Sequence, residues 1–168
     1  MKKCFLIWLL GISVFFYSNV MASDLETSSS SHEDLELTEK VLKPTKWKLH
    51  SDISDEQWEC LPTKVISLDI SEINSISSAG LKKISTMTIE KLNLSNLYLV
   101  DDDLQFLPKN LKTLLIKNTF VGGCGLKHLP ETVKEIDISN TTISIESLKA
   151  CLKNKNIKVT SNGELIEF

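Results

Sequence analysis

Arginine is absent from this sequence: all nineteen basic residues are lysine, set against 22 acidic ones for a formal net charge of −3. Arginine is the side chain best shaped for bidentate contacts to phosphate and guanine, so the balance argues against a nucleic-acid partner. Histidine is scarce, at three residues, and no Gly-rich phosphate loop, nucleophile elbow or H-E-x-x-H sequence occurs. His32 stands in a polar stretch, His50 near the start of the patterned region, and only His128 lies close to a cysteine, Cys124. Two such groups without further ligands make a poor metal or nucleophile–base site. No catalytic, cofactor-binding or metal residue is assigned, and the expectation is a non-enzyme with no cofactor. A length of 168 residues suits one domain and a targeting segment.

No long membrane-spanning run is present either. The only extended apolar stretch, residues 4–17, has fourteen residues behind Lys2 and Lys3, which is the size of a secretory signal core and short for a span. Val20 and Ala22 are the small residues of a cleavage site, predicting a mature chain that begins at Ser23. Cleavage removes only two lysines and moves the balance from −3 to −5. The expected location is therefore secreted or periplasmic, with no membrane contact once the signal is gone. Cys60, Cys124 and Cys151 remain, an odd number that allows at most one disulfide. Residues 23–45 begin serine-rich and acidic, with too few apolar side chains to offset ordering entropy, and read as a linker. A short helix over 34–42, ended by Pro44, is the one element expected within it.

The remainder, 46–168, repeats itself. LPTKVISLDI at 61–70 recurs as LPKNLKTLLI at 107–116 and LPETVKEIDI at 129–138, and a copy without Leu-Pro, STMTIEKLNL, occupies 85–94. The offsets are 24, 22 and 22 residues. Each copy holds aliphatic residues in an L-x-x-L-x-L pattern: Val65, Leu68 and Ile70; Ile89, Leu92 and Leu94; Leu111, Leu114 and Ile116; Val133, Ile136 and Ile138. Apolar residues two apart face one side of a strand. Later in each unit come Leu81 and Ile84, Leu104 and Leu107, Leu126 and Leu129, and Leu148 and Cys151, whose spacing of three fits one helical turn behind the strand. No unit can bury its own aliphatics, so the units must stack.

This pattern resembles the leucine-rich repeat family over about residues 46–160. The resemblance implies an α/β solenoid, a right-handed coil with a parallel β-sheet on the concave face and short helices or 3-10 turns on the convex face. The expected layout is an N-terminal cap over 46–60, repeats over about 61–154, and a capping strand and hairpin over 155–168. Trp47, Leu49, Ile53 and Trp58 would form the first lid, and Asn162-Gly163 the closing turn. Ser77-Ser78, the triplet Asp101-Asp102-Asp103 and Ser144 stand where helix N-caps are needed. The glycines of 121–125 predict an irregular or 3-10 turn in the third repeat. The sequence departs from the family where many members place a buried asparagine: here stand Ile73, Leu97, Thr119 and Thr141, leaving Asn96, Asn118 and Asn140 to compensate.

Residues between the buried strand positions would form the concave surface. Ser67, Asp69, Lys91, Asn93, Thr113, Leu115, Lys117, Glu135 and Asp137 are the expected protein-binding residues, a mixed-charge face with Leu115 as an exposed aliphatic spot. Asn93 and Asn140 also fit the glycosylation pattern, and a sugar on Asn93 would block that face. Similar repeats occur in secreted effectors and surface proteins of bacteria that live with eukaryotic cells, so the resemblance implies a secreted effector or host-interaction role; the expected partner is an unidentified protein, and the chain itself is expected to be a monomer. The alternative is an envelope-tethered scaffold held by an uncleaved signal anchor.

Overall fold

The computed structural model describes residues 46–152 and 155–167. The signal peptide, cleavage site and acidic linker expected over 1–45, and the helix expected over 34–42, lie outside the described residues. Strands β1 (Lys46–Lys48), β2 (Lys64–Asp69), β3 (Thr88–Asn93), β4 (Thr113–Leu115), β5 (Glu135–Asp137), β6 (Lys158–Ser161) and β7 (Glu164–Ile166) form a single sheet in chain order. The first six run parallel, and β7 folds back antiparallel on β6. Parallel neighbours require a crossover behind the sheet. These are α1 (Asp55–Glu59), α2 (Ser78–Thr86), 3-10 turns at Asp101–Phe106 and Gly123–His128, and α3 (Ile145–Leu152). The α/β solenoid expected from the repeats is the architecture that forms.

The repeat offsets set the register. Leu68 stands opposite Leu92, Leu92 opposite Leu114, Leu114 opposite Ile136, and Ile136 opposite Val159. None of these five is more than 2% exposed. The next inward row, Ile70, Leu94, Ile116 and Ile138, is equally buried. Burying each such side chain contributes about 1.5–3 kcal/mol, and no repeat could do so without its neighbours.

The crossovers differ with repeat length. The 24-residue repeat carries the nine-residue α2, whereas the two 22-residue repeats carry six-residue 3-10 turns. At rises of 1.5 and 2.0 Å per residue both span about 12–14 Å, so the tighter helix covers the same distance with fewer residues. It also eclipses side chains three apart, which suits Leu104 with Leu107 and Leu126 with Leu129, all buried. In α3 the α-helical spacing of four places Leu152 beside Leu148 in the core, leaving Cys151 half-buried rather than filling the position expected of it.

Capping follows the serines. Ser77 Oγ accepts from Gly80 N at 3.1 Å, and Ser144 Oγ accepts from Ser147 N at 3.2 Å. The acidic triplet behaves differently from the expected helix cap. Asp103 accepts from Val100 N at 2.9 Å, while Asp101 reaches across to accept from Gly122 N in the next repeat. Where the family places asparagine, Thr119 and Thr141 donate to Ile116 O and Ile138 O, each at 2.8 Å. Ile73 and Leu97 fill the equivalent positions as buried apolar groups.

Both ends are covered. Trp58 on α1 is 1% exposed, Leu49 is buried beside it in the core, and Trp47 and Ile53 pack against that core. At the other end Asn162 and Gly163 have φ of 51° and 84°, the paired positive angles of a type I′ hairpin, closing β6 on β7. Among the described residues no helix is long and apolar enough to cross a membrane.

Candidate protein-binding surface

Side chains that alternate with the buried leucines form two rows across the sheet. One runs Lys46, Ser67, Lys91, Thr113, Glu135 and Lys158; the other runs Lys48, Asp69, Asn93, Leu115, Asp137 and Thr160. Eight of the nine residues expected from the sequence fall in these rows, and Lys117 follows two residues after Leu115 on the same face. The set is therefore contiguous.

Its members do different work. Asp69 Oδ1 accepts from Ser71 N at 3.0 Å and Ser71 Oγ at 2.7 Å, and Asp137 Oδ1 makes the same pair of bonds with Ser139 at 3.1 and 2.6 Å. Asn93 Oδ1 accepts from Ser95 N at 3.1 Å. These are Asx-type turns that bend the chain out of each strand. Leu115 has no acceptor, and Ser95 Oγ of the preceding repeat takes the equivalent Lys117 N–H instead, at 3.2 Å. Leu115 is half-buried between its row neighbours Asn93 and Asp137, so the aliphatic spot expected to be exposed there is partly covered.

The charges sort in the same way. Lys117 Nζ lies 2.9 Å from Asp137 Oδ2, and Asn93 Nδ2 donates to Asp69 Oδ1 at 3.0 Å. Partial burial pushes the Asp137 carboxyl up, but the Ser139 and Lys117 contacts outweigh it and hold the group below its ordinary value. Lys91 and Glu135 are exposed and take part in none of the turns. Thr113 Oγ1 sits 3.4 Å from Glu135 Oε2. Lys91 and Glu135, with Lys46 and Lys158 at the ends of the same row, are thus the exposed charges of this face.

The remaining sequence candidates separate. Cys60, Cys124 and Cys151 form no disulfide with one another. Cys151 Sγ lies 3.8 Å from Gly123 O, and Cys124 is exposed. His128 Nε2 is buried without a hydrogen-bond partner, and no group of three or more His, Cys, Asp or Glu side chains among the described residues could hold a metal. The amide nitrogens to which a sugar would attach are both engaged: Asn93 with Asp69, and Asn140 with Asn118 at 2.9 Å.

Sequence reasoning named the asparagines at the edge where the strands end but missed the aromatics beside them. Asn96, Asn118 and Asn140 have φ of 65°, 53° and 54° there, and beside them Tyr98 and Phe120 point into solvent. The signal was present, since Tyr98 and Phe120 are 22 residues apart and occupy one repeat position. No protein-family model matches the chain, and no curated protein matches it.

Proposed function

We propose that this is an exported, non-catalytic protein-binding module of the leucine-rich repeat kind, which docks a partner protein on its sheet face. The observation that supports this reading most directly is the pair of side-chain rows in register across six strands, one partly covered and the other carrying exposed charges, spaced at the sheet repeat of about 4.8 Å. Repeat solenoids present extended surfaces of this kind, and interactions with only the adjacent repeats hold them in shape. Lys91 and Glu135 supply exposed charges of opposite sign for orientation of a partner. Export and membership of the family rest on the N-terminal sequence and the repeat pattern.

The test is capture of a partner by the mature chain, residues 23–168, from host-cell and periplasmic extracts, alongside a Lys91→Glu/Glu135→Lys double variant. Reversal at Asp69 and Asp137 would break turns as well as contacts, whereas Lys91 and Glu135 can change without touching a turn. A partner held by the native chain and lost by the variant, with an unchanged melting temperature, supports the assignment. A partner held equally by both contradicts it.

A further inference from the structure

The edge at the C-terminal ends of the strands carries two aromatic rings that the fold does not use. Tyr98 is 75% exposed and Phe120 60%. Their ring centroids are 4.8 Å apart and the planes are inclined by 46°, a tilted contact between neighbouring repeats that leaves most of both rings in solvent. Val100, 41% exposed, extends the apolar patch. Aromatic side chains supply large contact area when covered, and rigid exposed rings of this kind are the anchors of protein interfaces. A patch that holds neither core nor cap in place points to something outside the chain.

Charge around the rings selects the partner. Asp101 bonds Gly122 N two residues beyond Phe120, and Asp102 beside it is exposed. Asp52 accepts from Asn74 N at 2.7 Å, and Asn74 occupies the repeat position one unit before Tyr98. Glu72 is the corresponding residue before Asn96, but its carboxylate is met by Lys48 and His50. The lysines nearest this edge are engaged, Lys48 with Glu72 at 2.6 Å and Lys117 with Asp137 at 2.9 Å. The strand starts on the opposite side carry Lys64, Lys109, Lys112 and Lys134 at or just before β2, β4 and β5, with Lys112 alone of them paired among the described ion pairs, to Glu90 at 2.9 Å. The small net charge of the chain thus conceals a division between a basic edge and an acidic, aromatic one.

Carboxylates and electron-rich ring faces both favour cations, and a guanidinium satisfies the two together by stacking on a ring while donating to an acid. We propose that Tyr98 and Phe120, on the edge that also carries the exposed Asp102, form an anchor for an arginine-bearing segment of a partner protein, adjoining the sheet face. This deepens the protein-binding reading and rests on it.

The test is isothermal titration of the mature chain with synthetic hexa-arginine, hexa-lysine and hexa-glutamate. Hexa-arginine is expected to bind saturably and more tightly than hexa-lysine, with hexa-glutamate not binding. Tyr98→Ser/Phe120→Ser should weaken hexa-arginine about tenfold, and Tyr98→Leu/Phe120→Leu, which keeps apolar area without the ring faces, should weaken it similarly. Both variants change only exposed side chains, so their melting temperatures should match the native value. Lys91→Glu/Glu135→Lys should leave hexa-arginine binding intact, which separates this site from the sheet face. Absence of hexa-arginine binding, equal binding by the serine and leucine variants and the native chain, or no preference over hexa-lysine would overturn the proposal.

Discussion

Asn118 donates its side-chain amide to Asn96 at 2.8 Å, and both residues hold left-handed backbone angles, φ 53° and 65°. Asn140 continues the ladder by donating to Asn118 at 2.9 Å, and Asn96 reaches back to Ser71 O at 3.3 Å. One residue type therefore serves two needs at the ends of β3, β4 and β5. It tolerates positive φ better than other L-residues, and it links each repeat to the one before it. Asn118→Ala should lose both benefits and cost about 2–3 kcal/mol, from strain of roughly 1–2 kcal/mol and net hydrogen bonds of about 0.5–1.5 kcal/mol. Asn118→Gly removes the ladder without strain and should cost roughly 1 kcal/mol. Urea unfolding of the two variants checks the order, and an alanine variant as stable as the glycine one would refute the double role.

Gly80 is fixed by the indole of the N-terminal lid. A Cβ placed there would lie 2.7 Å from Trp58 Cε2 and 2.9 Å from Ile76 Cγ1, too close for any ordinary contact. On an open helix surface Gly→Ala would stabilise by about 1 kcal/mol. Here overpacking should dominate, so Gly80→Ala is expected to destabilise by about 1–3 kcal/mol and to loosen Trp58. Thermal melting followed by tryptophan fluorescence measures both effects. A raised melting temperature would mean that the lid does not pack as described.

Acid should weaken the fold through the sheet-face carboxylate. Asp137 in the folded protein is held below its ordinary value by Ser139 and Lys117, against the opposing effect of burial. A folded-state value below the unfolded one contributes stability that is complete above the unfolded value, near about pH 4 for aspartate, and lost as pH falls through the folded value. Asp52 and Glu72, lowered mainly by side-chain contacts with Asn74 and Lys48 respectively, act in the same direction. Asp137→Asn keeps an oxygen for Ser139 N but removes the charge facing Lys117. Its melting temperature should therefore sit below the native value at pH 7 and decline less steeply below about pH 4. Parallel acid limbs for the two proteins would contradict this account.

The buried skeleton was legible because burial obeys a period. L-x-x-L-x-L at offsets of 24, 22 and 22 residues predicts which aliphatics face inward, and Leu92, Leu114 and Ile136 do. The positions between them carry no such constraint, which is why their roles were harder to read. Asp69 and Asp137 look like surface charges in the sequence, yet their oxygens form the turns after β2 and β5, a use that depends on the Ser two residues on. Leu115 looks like an exposed apolar residue because its shielding comes from side chains 22 residues away on either side. Asp101-Asp102-Asp103 suits the start of an α-helix or of a 3-10 turn equally well, and the shorter repeat selects the latter. Tyr98 and Phe120 share a period with the core but not its burial, and only the fold distinguishes a period that packs from one that protrudes.

The central claim is that a partner covers the sheet face, and lysine footprinting of the captured complex tests it most directly. The mature chain, alone and with its partner bound, is treated with an amine-acylating reagent and modification is read residue by residue by mass spectrometry. Lys91 is exposed on the sheet side, whereas Lys82 and Lys127 are exposed on the crossovers behind it. The account predicts that partner binding protects Lys91 and leaves Lys82 and Lys127 as reactive as before. Protection of Lys82 and Lys127 with Lys91 unchanged would place the interface on the helical side and contradict it.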